Sequence, residues 1–401
     1  MTAEDSSLGL DKPGHGIENA DLRCPMLGGQ RSNRRCQVDT QPLRLGLVGC
    51  GMIGQIHADG LRKLSEDGDI VAVGAADPSE AARRAVLRNC PFQYESDDPA
   101  RVIADPGIDA VVIASPTVTH RDLVKAVLDA GKPIFCEKPL APTFEVVVEL
   151  ADAVAASGLP AQVGFHSRFH PIVNRLRNTI RSGELGRPMG YTLRDDQYWP
   201  TGDVVPGHSS WRSQRSDAGG GALLEHSIHA ADLVSWLFGP ARSVAAFGRS
   251  VFGYDVEDVA AVTVEHDTGV VGTLLTVFNG VRGREERRFE VFFEHGAIEL
   301  TTDFIVGAQE DSYLVQRPDR EADRPDLAEL RDHYLTGIGI TRRDFLFYTY
   351  PSDRSWVRSI QHDSAPSPDF TDALRAHLLV EAAYRSMSSG KQVDTGELIE
   401  G

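Results

Sequence analysis

The chain has 401 residues, 41% of them apolar and 25% charged, with a formal net charge of −17. That length holds two domains with their own cores, and the acidic balance, without any dense Lys/Arg run, argues against nucleic-acid or anionic-membrane binding. Cys24, Cys36, Cys50, Cys90 and Cys136 contain no C-x-x-C pair, so reduced thiols are expected rather than a disulfide scaffold or a Cys-based zinc module. No apolar run reaches the ~18 residues of a membrane span, and the N-terminal stretch lacks the apolar core of a signal peptide. A cytoplasmic protein is the expectation.

Residues 1–41 show no steady periodicity and read as an irregular extension. A misplaced translation start or an arm on a neighbouring subunit are the alternatives. From Pro42 the pattern sharpens. Leu43–Val48 is a predicted buried strand, followed by Gly49-Cys50-Gly51-Met52-Ile53-Gly54 and a helix with Ile53, Ile56, Leu61 and Leu64 on one side. Ile70–Ala76, Ala110–Ala114 and Pro133–Cys136 are further predicted strands. Thr119, with Asp122 three residues on, resembles an N-cap. Helices are predicted to end at Gly131 and to begin near Thr143. Strands alternating with helices at this rhythm predict a doubly wound parallel sheet.

After Gln162 the character changes. Helices are predicted over Pro171–Ser182, Gly221–Phe238 and Phe370–Ser386, and strands over Val259–His266, Val270–Phe278, the alternating stretch Phe289–Phe293, and Ala297–Leu300. Short turns between them predict an open antiparallel or mixed sheet. Residues 307–369 read as irregular, with aromatics at Phe345, Phe347, Tyr348 and Tyr350. The expected organisation is an extension over 1–41, a Rossmann domain over 42–163 and an α+β domain over 164–401 for substrate binding and oligomerisation.

The glycine loop lies between a strand and a helix, the context in which G-x-G-x-x-G is informative. Gly49 permits the tight turn, Gly51 lets a pyrophosphate approach, and Gly54 lets helix and strand pack closely. The helix N-terminus, opening at Met52 and Ile53, offers free N–H groups to phosphate. Asp77 closes the second strand, 23 residues after Gly54. A carboxylate there accepts ribose hydroxyls and repels a 2′-phosphate, which favours NAD over NADP. Arg83 and Arg84 read as too far along to clamp that phosphate.

Glu137-Lys138-Pro139 comes directly after a parallel strand, at the carboxyl edge where such sheets bind ligands. A lysine there can donate to an oxygen that becomes a carbonyl or alkoxide, and Glu137 can pair with it or reach the nicotinamide ribose. Spacing alone leaves a surface Glu–Lys pair as the alternative. Glu225, His229 and Asp232 are spaced to share one helix face, and a carboxylate oriented against an imidazole is an acid/base unit. A satisfied helix-face histidine is the alternative there. Glu225, His226 and His229 are also ligand types, but their order matches neither H-E-x-x-H nor H-x-x-E-H, and no metal is expected. His166, Arg168 and His170, Tyr198-Trp199-Pro200 and Trp211-Arg212 are candidates for a polar substrate.

In this order the Gly49–Gly54 loop, Ser115-Pro116-Thr117 through His120, Glu137-Lys138-Pro139, the Gly219–Asp232 helix and the ending Phe370–Ser386 resemble the Gfo/Idh/MocA family, the glucose–fructose oxidoreductase and inositol dehydrogenase group. The resemblance implies hydride transfer between a carbon of a sugar, aminosugar or cyclitol and NAD, with no nucleic-acid or membrane partner. It implies that Lys138 holds the reacting oxygen, that His229, with Glu225 beside it, is the general acid/base, and that Ser115, Thr117, His120 and Glu137 line the cofactor. His166, Arg168, Tyr198, Trp211, Arg212 and His226 are then expected on the substrate. An open C-terminal sheet implies a homo-oligomer, a dimer or tetramer. The family pattern on the helix is D-x-x-x-H, and here Glu225 stands first, one methylene longer. A redox-neutral lyase or glycosidase that retains NAD, and a non-catalytic nicotinamide sensor, are the other uses of such a fold.

Overall fold

The computed structural model describes residues 41–198, 210–281, 285–302, 311–341 and 349–399. The expected extension over 1–41 lies outside these residues, apart from Gln41.

The first sheet is built from β1 (Leu43–Val48), β2 (Ile70–Ala76), β3 (Tyr94–Ser96), β4 (Ala110–Ile113), β5 (Ile134–Cys136) and β6 (Ala161–Val163). Between them run α1 (Met52–Glu66), α2 (Glu80–Asn89), α3 (Pro99–Ile103), α4 (His120–Asp129) and α5 (Phe144–Ser157). All strand pairs are parallel and the order is β3-β2-β1-β4-β5-β6. This is the doubly wound arrangement, with its chain reversal between β1 and β4. The strands β2, β4 and β5 are apolar throughout because helices cover both faces. The register Val48–Ile113–Cys136 aligns the carboxyl ends of β1, β4 and β5, so the loops leaving these three strands meet at one edge.

The chain continues through α6 (Pro171–Ser182), β7 (Pro188–Tyr198), α7 (Arg215–Ala218) and α8 (Ile228–Phe238). Then come β8 (Ala241–Arg249), β9 (Val259–His266), β10 (Val271–Asn279), β11 (Glu286–Phe293), β12 (Gly296–Thr302), β13 (Ser312–Arg317) and β14 (Arg320–Asp323). Helices α9 (Leu327–Gly337), α10 (Thr349–Gln361) and α11 (Phe370–Ser389) precede a short β15 (Val393–Asp394). The second sheet runs β14-β13-β12-β11-β7-β10-β9-β8-β15, antiparallel except where β7 lies parallel to β10. Burial alternates along β9 and β10, so one face packs on helices and the other is open.

Three expectations change. Thr119 stands at the N-cap of α4, but its side chain makes no cap hydrogen bond; the hydroxyl donates to the Pro116 carbonyl instead. The helix expected from Gly221 to Phe238 is broken at Ser227, a π turn over Ala222–His226 preceding α8. The stretch expected as irregular carries β13, β14, α9 and α10; Phe345, Phe347 and Tyr348 lie outside the described residues, and Tyr350 is buried.

Helix α10 lies on the first sheet although it comes late in the chain. Its Trp356 is fully buried, edge-on to Phe135 of β5 at 5.7 Å, in a cluster with Leu47, Leu61 and Leu64. Trp356→Ala should destabilise the fold by about 3–5 kcal/mol, read as a lower urea midpoint; an unchanged midpoint would show that α10 is not part of this core.

Candidate active site

The loop after β1 is shaped by close approach. Gly49 has φ +96°, and a Cβ on it would sit 2.5 Å from the Ala114 carbonyl carbon and the Ser115 nitrogen. A Cβ on Gly54 would run into the Gly49 carbonyl, whereas one on Gly51 would meet nothing within 4 Å. The first and third glycines therefore serve packing, and the second faces open space at the start of α1. No side chain caps that helix end, where Met52 is half exposed and Ile53 half-buried, so its amides are available to an anion.

Asp77 is held beside this loop, its carboxylate accepting the Cys50 N–H and the Ser79 N–H, each at 2.8 Å. Two more lone pairs remain for a ribose. These residues fit a dinucleotide. Arg83 is closer than its sequence position suggested: its guanidinium donates to the Asp77 carbonyl at 2.7 Å and lies 3.4 Å from Glu95. Arg84 pairs with Glu80 on the outside of α2.

Beyond β4, Ser115 shares a 2.6 Å hydrogen bond with Thr119. The buried His120 places one ring nitrogen 3.0 Å from the Ser115 carbonyl and the other 2.9 Å from the Pro139 carbonyl. It therefore ties the loops after β4 and β5 together. Burial lowers its pKa and favours a neutral ring, which donates to one of the two carbonyls. Thr117, also buried, donates to Glu225 at 3.2 Å.

Glu137 is the hub of the strand edge. One carboxylate oxygen lies 3.0 Å from His57 Nε2 of α1 and 2.5 Å from His166 Nε2; the other accepts the Lys138 backbone N–H at 3.1 Å. Of the two expectations for Glu137, pairing with Lys138 or reaching a ribose, the first is not seen as a hydrogen bond; its contacts are two imidazoles and a peptide. Burial pushes this carboxyl up, but His166 and His57 outweigh it and hold it well below the usual range. On its other side His57 Nδ1 faces Asp353 of α10 at 2.9 Å. The donor atoms of His57, Glu137 and His166 lie within 4.8 Å of one another; hydrogen bonds among them and Asp353 account for the cluster without an ion.

The Lys138 ammonium donates to the Glu225 carbonyl at 3.0 Å. Burial lowers its pKa, opposed by the charges of Glu225 and Glu137. Glu225 and His229 do not form the expected relay. With the helix broken at Ser227, the Glu225 carboxylate takes Thr117 and lies 3.4 Å from Arg212, whose guanidinium stacks 4.5 Å over the Trp211 ring. Burial raises the Glu225 pKa while Arg212 and Lys138 pull it down. His229 instead lies against Phe165 and His166, with ring centroids 6.1 and 6.3 Å away. Burial, then the charges of Lys138, Arg287 and His166, holds its pKa well below the ordinary 6.5. Lysine and imidazole are therefore close enough to affect one another.

Asp232 turns to Arg168, which grips it through two nitrogens and reaches Asp372 at 2.9 Å. Arg168, expected on the substrate, is therefore a buried strut. His226 lies 3.3 Å from Asp195 of β7, which also bonds Arg287 twice at 3.2 Å and Ser227 at 2.9 Å. His170 caps α6 and lies 3.5 Å from Asp311. Tyr198 ends β7, half-buried and opposite Asn279; Trp199 and Pro200 lie outside the described residues. Sequence reading missed His57, Asp195, Arg287 and Asp353. Only His57 left a trace, as a polar residue on the apolar side of α1.

A dinucleotide loop, a carboxylate beside it and a half-buried lysine at the same sheet edge, with a buried imidazole within reach of its charge, define the class of NAD-binding oxidoreductases. Residues 43–165 match the oxidoreductase family, NAD-binding Rossmann fold, and residues 173–299 match the GFO/IDH/MocA C-terminal domain. An inositol 2-dehydrogenase of Acidothermus cellulolyticus is 31% identical over 88% of this chain and 94% of its own. The scyllo-inositol 2-dehydrogenase (NAD(+)) of Bacillus subtilis is 32% identical over 65% of this chain and 74% of its own. A levoglucosan dehydrogenase, solved with NADH and levoglucosan, superposes with a TM-score of 0.78 at 25% identity, over 88% of this chain and all of that one. The chain belongs to the Gfo/Idh/MocA family of oxidoreductases.

The strut and the cleft arginine separate by experiment. Arg168→Ala leaves the fully buried Asp232 unpaired and should cost about 3–5 kcal/mol of stability. Arg212→Ala should cost less than Arg168→Ala, because the Arg212 side chain is partly exposed and buried Glu225 keeps Thr117 and the Lys138 charge. Equal unfolding midpoints for the two variants would contradict this division of roles.

Proposed function

We propose that the protein is an NAD-dependent dehydrogenase that interconverts a secondary alcohol and a ketone on a cyclitol, sugar or aminosugar. The observation that carries the reading is the half-buried Lys138 ammonium, directly after β5 at the carboxyl edge where β1 and β4 also end, with the buried His229 imidazole near enough for that charge to lower its proton affinity. Bound NAD supplies the hydride acceptor. In the oxidative direction the neutral His229 takes the hydroxyl proton, and Lys138 donates to the oxygen as negative charge develops on it. The low proton affinity of His229 keeps it ready to accept, and the nearby cations make it release the proton afterwards. The names of the relatives support the polyol class. Arg212 on Trp211, His226 and Tyr198 are the wall against which its hydroxyls would be read.

Lys138→Ala and His229→Ala should each lower kcat by at least ~10²-fold; near-parental turnover in either would remove that residue's role. With His229 as base and Lys138 as cation, kcat/KM should fall on the acid side only below pH 6.5 and on the alkaline side below pH 10.5. The assay tracks absorbance of the reduced cofactor across a cyclitol and sugar panel. Stoichiometric reduction separates this reading from a redox-neutral one, and faster turnover with NADP would contradict the role given to Asp77.

A second copy of the chain is proposed on the open sheet face. Register places Phe247, Ala261, Leu275 and Arg194 in one row, and Phe292, Gly190 and Val271 in another. Phe247 is 81% exposed, and Val271, Leu275 and Phe292 are exposed as well. Such a patch on a soluble surface marks an interface. Phe247→Glu with Leu275→Glu should turn a dimer or tetramer into smaller species in light scattering, and a monomeric parent would refute the interface.

A further inference from the structure

The mechanism uses Lys138 and His229 and leaves a line of buried charge behind them unexplained. His57 is fully buried, and both of its ring nitrogens face carboxylates: Nδ1 lies 2.9 Å from Asp353 and Nε2 3.0 Å from Glu137. An ionised carboxylate only accepts hydrogen bonds. Each ring nitrogen must then carry a proton, and His57 must be an imidazolium. The backbone makes room for both acids. A Cβ on Gly60 of α1 would sit 3.1 Å from an Asp353 oxygen, and one on Gly164 would sit 2.8 Å from a Glu137 oxygen.

We propose that Asp353, His57 and Glu137 form a buried charge chain whose imidazolium keeps Glu137 ionised, so that Glu137 can position His166 and the Lys138 peptide at the reaction centre. His57 and Asp353 are positioning residues for the proposed redox reaction, and this role rests on that reading. Charges alternate along the line, Asp353 negative, His57 positive, Glu137 negative, Lys138 positive. Without the central cation two carboxylates would share a water-free space, where one would have to take up a proton. Among the described residues the groups acting with Glu137 are His57 from α1, His166 from the turn after β6, Lys138, and at longer range His120, His229 and Cys136. Those acting on His229 are Lys138, Arg287 and His166 as like charges and Glu137 as the opposing one. His57 is held near pKa about 10 by the two acids against the effect of its burial.

His57→Gln keeps a donor toward Glu137 and removes the positive charge. Either Glu137 stays ionised and the proton affinity of His229 rises, or Glu137 protonates at higher pH and lets go of His166 and the Lys138 peptide. In both cases the acid limb of kcat/KM moves to higher pH, by about one unit or more, with KM for NAD little changed. A properly folded His57→Gln enzyme with the parental pH profile would overturn the positioning role. A second measurement needs no variant and no activity. Ring-nitrogen NMR of the parent at about pH 8.5, where ordinary histidines are neutral, should show at least one imidazolium persisting among the 13 histidines. Thirteen neutral rings would overturn the charge chain itself, whatever reaction the enzyme performs.

Discussion

A carboxylate taken out of water must be surrounded by donors, and the centre of this molecule is arranged around that requirement at Glu137. Its two oxygens collect an imidazole from α1, an imidazole from the turn after β6, and the peptide that carries Lys138. Two separate segments, α1 and the turn after β6, are thereby pinned to the end of β5. The same contacts set the local charge, because the imidazoles keep Glu137 ionised and Glu137 in turn supports the Lys138 ammonium.

The principle recurs in the second sheet. Asp195 lies fully buried in β7, where Ser227 donates to it and Arg287 and His226 hold its pKa far below the usual range despite burial. Arg287 also bonds Ser167 at 2.9 Å, which links β11 to the turn bearing His166 and Arg168. Arg168 then closes onto Asp232 and Asp372, joining that turn to α8 and α11. Buried ion pairs of this kind add little net stability compared with apolar packing, but a single missing partner is costly. They make the relative placement of the elements around the cleft all-or-none.

The π turn over Ala222–His226 decides how the helix motif is used. Glu257 accepts the Gly221 and Leu223 amides at 3.0 Å and Tyr384 at 2.9 Å, which fixes the entry to the turn. Ser227 then resets the helix, and residues that an unbroken α-helix would stack on one face take different partners. Glu225 faces Thr117 and Arg212, His229 faces Phe165 and His166, and Asp232 faces Arg168. Glu225 is thereby held by Arg212 and Thr117 rather than by the histidine.

The parallel sheet, its glycine loop, Asp77 and the lysine at the strand edge were legible in the sequence, because each depends on contacts between neighbours along the chain: apolar runs, turn glycines, a residue at a strand end. Strand β7 was not, since Arg194-Asp195-Asp196 reads as solvated until Arg287, 92 positions later, is brought alongside. Helix α10 was not, since its apolar face has meaning only against the sheet it covers. The partners of His57, Glu225, Arg168 and Asp232 were beyond reach for the same reason. A charged side chain in sequence announces that it needs a counterpart, and only folding chooses which distant one it receives.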